Sequence, residues 1–141
     1  MIDAYVSDLT HLHNEWAALH EDLLHCLEHC SDVIIPEDVY ACIRAGTASL
    51  IMLSRDNDYA GFVVVTVHND TFRPVLKTLH VWFTHTHGND VTKVGMEFLR
   101  GMARAKGCHV ITLRGTREGF LRWGADLGFK RNFVELIAEV D

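Results

Sequence analysis

Apolar side chains recur at three- and four-residue steps from Leu9 through Leu12, Trp16, Leu19, Leu23 and Leu27 to Cys30, which places one apolar stripe along a helix. Ser7 and Asp8 stand before it as candidate caps, so the pattern predicts a helix over about residues 8–30. Pro36 at a first helical turn, followed by Glu37 and Asp38 where the helix dipole favours acids, opens a shorter helix that Gly46 ends. No clear strand precedes these two helices. Two β-rich runs, Ser49 to Ser54 and Gly61 to His68, flank the turn-favouring cluster Arg55-Asp-Asn-Asp and read as a hairpin. Leu76, Leu79, Val81 and Phe83 begin a third strand with one less apolar face, marked by Thr78 and His80.

Val91 to Lys106 then reads as a long helix with Val94, Phe98, Met102 and Ala105 along one face and Gly107 as its stop. Val110 to Leu113 is a fourth strand, Glu118 to Leu127 a short helix, and Phe133 to Val140 a final strand entered through Leu127-Gly128-Phe129. No linker rich in Pro, Gly or Ser divides the chain, so one domain over residues 1–141 is expected.

Composition narrows the classes. With 141 residues and 48% hydrophobic side chains the chain can bury a core, and no run reaches the roughly 18 apolar residues of a membrane span. The N-terminus has no basic segment followed by an apolar run, so no membrane association is expected and a cytoplasmic location is the default. A net charge of -6 argues against nucleic-acid binding, although Arg114, Arg117, Arg122, Lys130 and Arg131 cluster late in the chain. The four cysteines, at 26, 30, 42 and 108, lack the spacing of a disulfide framework and read as reduced thiols.

Two helices, a strand meander, a helix entered from a central strand, another strand and helix, and a last strand after Gly-Phe resembles the Gcn5-related N-acetyltransferase (GNAT) superfamily. The likeness covers almost the whole chain in order of elements. Its most specific stretch runs from Phe120 to Lys130, similar to the family's late helix and the Leu-Gly-Phe that follows. The resemblance implies an α+β (mixed α/β) fold with a mixed, mostly antiparallel sheet flanked by helices. It also implies transfer of an acetyl or other acyl group from acetyl-CoA or another acyl-CoA to an amine on a small molecule or protein.

In that family a central strand splays from its neighbour and pairs its backbone with the pantetheine arm. Val81, Trp82, Phe83 and Thr84 occupy the matching strand, with Val81, Phe83 and Thr84 as expected cofactor contacts. Buried backbone groups need partners, so such a cleft is filled by a ligand or closed by side chains such as Trp82 or Phe83. The family's pyrophosphate loop, with the helix registered on Phe98-Leu99, falls on Asp90, Val91, Lys93 and Gly95. Gly95 agrees with it, Asp90 opposes an anion, Lys93 attracts one, and Gly88-Asn89 supplies a tight turn in a shifted register. Lys93, Gly95, Gly88 and Asn89 are therefore cofactor candidates.

Acyl transfer needs a base and often an acid, which the family commonly supplies as a tyrosine four residues before the late Gly-Phe. That position is Gly124; Trp123 beside it has no acidic hydroxyl and is carried as a cofactor contact. The family's frequent strand glutamate falls near Lys77. His80 and His85 remain as candidate bases, with an unperturbed pKa of about 6.5 that suits the task.

Other constellations carry less. His25 with His29 and Cys26 with Cys30 lie at helical spacing, but two ligands do not make a site, and both cysteines also fit the apolar stripe. His85-Thr86-His87 reads equally as a solvated strand end. Cys108 and His109 are adjacent on a strand and point to opposite faces. No metal ligand set is assigned. Val81-Trp82, the helix from Phe98 to Arg104 and the Phe120-Leu-Arg stretch are also similar to a small internal virion protein of short-tailed phages that shares the fold and lacks the tyrosine. That likeness implies a catalytically inactive protein with a structural or host-interaction role, located in the virion with virion proteins as partners. Exposed strand edges allow a homodimer, with no interface assigned.

Overall fold

The computed structural model describes residues 1–30, 34–115, 120–132, 136, 138 and 140. In chain order these form β1 (Ile2–Val6), α1 (Leu12–Glu28), α2 (Pro36–Ala45), β2 (Ser49–Arg55), β3 (Asp58–Asn69), β4 (Lys77–Thr86), α3 (Asn89–Ala105), β5 (Val110–Leu113) and α4 (Phe120–Asp126). One five-stranded sheet has the order β1-β2-β3-β4-β5; its first four strands run antiparallel to their neighbours and β5 runs parallel to β4. The expected mixed, mostly antiparallel sheet flanked by helices is therefore present.

The centre is the β2–β3 hairpin, closed by Asp56 and Asn57 at φ of 51° and 71°. Asp and Asn tolerate that left-handed region, and a two-residue turn of this hand matches the twist of the strands it joins. Both faces of the hairpin are buried because helices cover each side. Leu50, Met52, Phe62, Val64 and Phe83 pack against Leu12, Leu19 and Leu23 of α1 and Val39 and Ile43 of α2. Ile51, Leu53, Val63, Val65, Leu79 and Val81 pack against Val91, Leu99 and Ala103 of α3. A sheet covered on both faces reads as continuous apolar runs, which is what β2 and β3 show.

Two readings change. A strand does precede the helices: Ile2 to Val6 pairs with β2, and Ile2 and Ala4 pack on the α3-side core. Its two inward side chains in five residues are too short a pattern to stand out. On α3 the buried centre is Val91, Gly95, Leu99 and Ala103, one position round from the stripe of Val94, Phe98, Met102 and Ala105. Small residues at 95 and 103 let the helix approach the sheet, and Phe98 and Met102 pack on its flank. The short late helix is described from Phe120, while the expected strand over residues 133–140 falls largely outside the described residues.

Local signals set the helix ends. The Asp8 carboxylate accepts the His11 amide at 3.0 Å before α1, and Pro36 opens α2, which ends at Gly46 with φ of 81°.

Candidate active site

β4 is the element on which the site turns. Its pairing to β5 runs from Thr78↔Val110 through Leu79↔Ile111 and His80↔Thr112 to Val81↔Leu113 and stops there. β4 itself continues to Thr86, still paired to β3. Where pairing to β5 ends, β4 carries an extra residue: Val64 and Val65 oppose Phe83 and Val81, which leaves Trp82 as the bulge. A bulge bends its strand and increases the local twist. β5 is paired over its whole length and ends at Leu113, so β4 outruns it and the backbone of Trp82 to Thr86 has no β5 ladder among the described residues.

The two rings named as able to close such a cleft both pack on the α1/α2-side core. Phe83 is 8% exposed within the α1/α2-side core, and Trp82 packs against the same cluster with its ring 5.0 Å from that of Phe83. Val81 is buried on the opposite, α3-side face. Thr84 donates its hydroxyl to the Phe62 carbonyl at 3.0 Å and receives the Cys26 thiol on its own carbonyl at 3.4 Å.

The start of α3 lies next to the tip of β4. Gly88 has φ of 113°, and a side chain there would meet the Asp90 carboxylate at 2.7 Å, so glycine is required by both conformation and space. Asp90, read from sequence as opposing an anion, is clamped by Arg55 through two bonds of 2.7 and 2.8 Å and also accepts the Val91 amide at 3.0 Å. Burial works against ionisation of Asp90, but the Arg55 bond comes first among its influences and holds the carboxyl below the usual range. The local charge at this helix start is therefore closer to neutral than the sequence implies. Asn89 and Lys93 are exposed in the first two turns. Gly95 faces the sheet, where an added Cβ would lie 3.3 Å from Leu53 Cδ1, so its small size serves helix–sheet packing.

The two candidate bases have different surroundings. His80 lies in the zipped half of β4, with Nδ1 2.8 Å from Thr112 Oγ1 and its ring edge-on to His68. Burial, then the charges of Arg114 and His68, push its pKa down to about 4. A base whose conjugate acid is that strong accepts protons poorly near neutrality. His85 lies in the part of β4 that extends past β5, with Nε2 3.8 Å from Asp22 Oδ1 of α1. Asp22 also receives the Tyr59 hydroxyl at 2.6 Å and lies 2.7 Å from His87 Nε2. Burial pushes the Asp22 carboxyl up, but the bonds from Tyr59 and His87 and the His85 and His87 charges outweigh it and hold the group below the usual carboxylate range. Tyr59 is raised well above an ordinary phenol by burial and by Asp22, so it stays a hydroxyl donor. His25 meets the His85 ring edge-on at 5.6 Å, and His87 meets it at 5.4 Å.

Asp22, Tyr59 and His87 are the residues that sequence reasoning did not assign. The available signal was His85-Thr86-His87, since residues two apart on a strand share a face. Nothing local links that pair to Asp22, 63 positions before His85. Trp123, by contrast, sits on α4 with its ring stacked on Phe120 at 6.3 Å, and Gly124 is buried with the Phe129 amide bonded to its carbonyl at 2.9 Å. Lys77 is at the far end of β4, where its ammonium donates to the Lys106 carbonyl at 2.6 Å. His109 accepts the Lys77 amide at 3.1 Å. A hollow of about 280 Å³ beside Arg100, Cys108 and Phe129 also lies at that end, away from the tip of β4.

No protein-family profile matches the chain, and no curated protein matches it in sequence. Solved structures do match over its full length. A ribosomal-protein-alanine N-acetyltransferase from Brucella melitensis biovar Abortus 2308 superposes with a TM-score of 0.76 at 15% identity, covering 100% of both chains. A glucosamine-6-phosphate N-acetyltransferase from Arabidopsis thaliana gives 0.69 at 14% identity, over 100% of this chain and 99% of that one. AAC(6')-Iy, in complex with the bisubstrate analogue CoA-S-monomethyl-acetylneamine, gives 0.70 at 14% identity, over 100% and 99%. The chain therefore has the GNAT acyl-CoA N-acyltransferase fold.

Proposed function

We propose that this protein is an N-acyltransferase that moves an acetyl or other acyl group from acyl-CoA to a primary amine, with His85 as the general base. The observation that carries this reading is the end of β4–β5 pairing at Val81↔Leu113 while β4 runs on to Thr86. Beyond Val81 the described residues form no β5 ladder with β4, and an extended amide-bearing arm such as pantetheine supplies donors and acceptors suited to pairing with a strand edge. Acyl-CoA supplies a thioester carbonyl, the electrophile that an amine attacks. The backbone of Trp82 to Thr86 would hold its arm, with the start of α3 and the exposed Lys93 toward its phosphates.

The chain's own groups then handle the proton. An amine must lose a proton to become a stable amide, and the His85 imidazole at the open end of β4 accepts it. The Asp22 carboxylate, 3.8 Å from His85 Nε2, stabilises the resulting cation. Tyr59 and His87 fix Asp22 in place. No tyrosine occupies position 124, so the departing thiolate takes its proton from another source, for which water is sufficient.

Calorimetric titration with acetyl-CoA tests the premise. Saturable binding that is weakened when Lys93 is changed to Glu is the expected result. Absence of heat and of any thermal shift at millimolar acetyl-CoA would overturn the transferase reading and leave a GNAT-fold protein without the reaction.

A further inference from the structure

Asp22, His85 and His87 bring three metal-ligand atoms within 4.8 Å of one another. They come from α1, from β4 and from the turn after β4, so helix–sheet packing assembles them. Two imidazole nitrogens and one carboxylate oxygen form a donor set suited to Zn²⁺, with a fourth position left for water. The Asp22 carboxylate is further oriented by the Tyr59 hydroxyl at 2.6 Å, the kind of outer bond that fixes a ligating carboxylate. Side-chain exposure rises from 19% at Asp22 through 33% at His85 to 51% at His87, so an ion can enter from solvent and still rest on a partly buried acid.

We propose that Asp22, His85 and His87 bind a zinc ion, with Tyr59 as the outer partner of Asp22. Without metal, His87 Nε2 and Asp22 Oδ2 are 2.7 Å apart. Ligand atoms sharing a tetrahedral zinc lie roughly 3.3 Å apart when each is about 2.0–2.1 Å from the metal. Zinc therefore replaces that hydrogen bond, and His87, on the exposed turn, makes the small outward shift. The neighbouring His25, Glu28 and His29 also lie within ligand reach of one another, but all three are exposed and come from the last turn of α1 and its C-cap. They are the natural control.

The experiment uses the untagged full chain, stripped with chelator and titrated with zinc chloride by calorimetry and with cobalt(II) by visible absorption. One ion per chain is expected, with binding abolished by His87→Ala and by Asp22→Asn and retained in His29→Ala. Tyr59→Phe should weaken binding about 10–100-fold, as loss of an outer-shell partner does. His87 is exposed, so its variant tests the ligand without disturbing the core. Absence of saturable binding, persistence of binding in His87→Ala, or its loss in His29→Ala would overturn the site. An unchanged affinity in Tyr59→Phe would remove Tyr59 from it. Zinc on His85 occupies the imidazole assigned as the general base, so the zinc-bound form is one in which acyl transfer is blocked; because the titrations contain no acyl-CoA, their outcome is independent of the transferase test.

Discussion

His80 and His85 stand five residues apart on the same strand and have opposite chemical situations. His80 is in the half of β4 that is zipped to β5, where burial and the charges of Arg114 and His68 hold its pKa near 4. His85 is in the part of β4 that extends past β5, with Nε2 3.8 Å from the Asp22 carboxylate. The sequence offered both as bases on equal terms. Their difference shows that side chains on one strand are separated chemically by what packs over each of them, because burial and neighbouring cations penalise the charge of His80.

The sharpest way to break that comparison is kinetic. His85→Ala should lower kcat for acyl transfer by about 10²–10⁴-fold, the range of a lost general base, while His80→Gln should leave it within a few-fold. Equal losses in the two variants would mean that the halves of β4 do not divide as described. Stability should divide in the reverse sense. Leu79, fully buried beside His80, should cost about 2–5 kcal/mol on change to Ala, whereas Thr86→Ala at the tip should cost under about 1 kcal/mol by denaturant unfolding.

The smallest effect is a dependence on pH. The folded pKa of His80 is about 4 against about 6.5 unfolded, so between those values the unfolded chain binds the extra proton. The contribution of neutral His80 is complete above about pH 6.5 and is lost as pH falls toward about 4. The depressed Asp22 carboxyl loses its contribution only at lower pH, as its own folded pKa is crossed. His80→Gln should therefore flatten the stability curve between about pH 6.5 and 4 in denaturant titrations. A variant as acid-sensitive as the parent would count against a buried, neutral His80.

Local physics set much of this molecule directly. Three- and four-residue spacing placed α1, Pro36 and Gly46 bounded α2, and the β-branched runs with Asp-Asn between them made the β2–β3 hairpin. Those signals act within a few residues and so are written in consecutive letters. The GNAT fold followed from the order of these elements. β1 was missed because five residues with two inward side chains carry little periodicity. The α3 face was misplaced by one position because hydrophobic spacing weights large residues, whereas the contact depends on Gly95 and Ala103 being small.

The site itself belongs to tertiary structure. Where the β4–β5 ladder ends, which histidine is buried, and that Arg55 neutralises Asp90 all depend on contacts between segments far apart in the chain. The same holds for Asp22, Tyr59, His85 and His87, which meet only when α1 lies across the ends of β3 and β4. Hydrogen bonds and charges act over a few ångströms of space regardless of sequence distance, so the letters determined which groups were present and the packing decided which of them could act together.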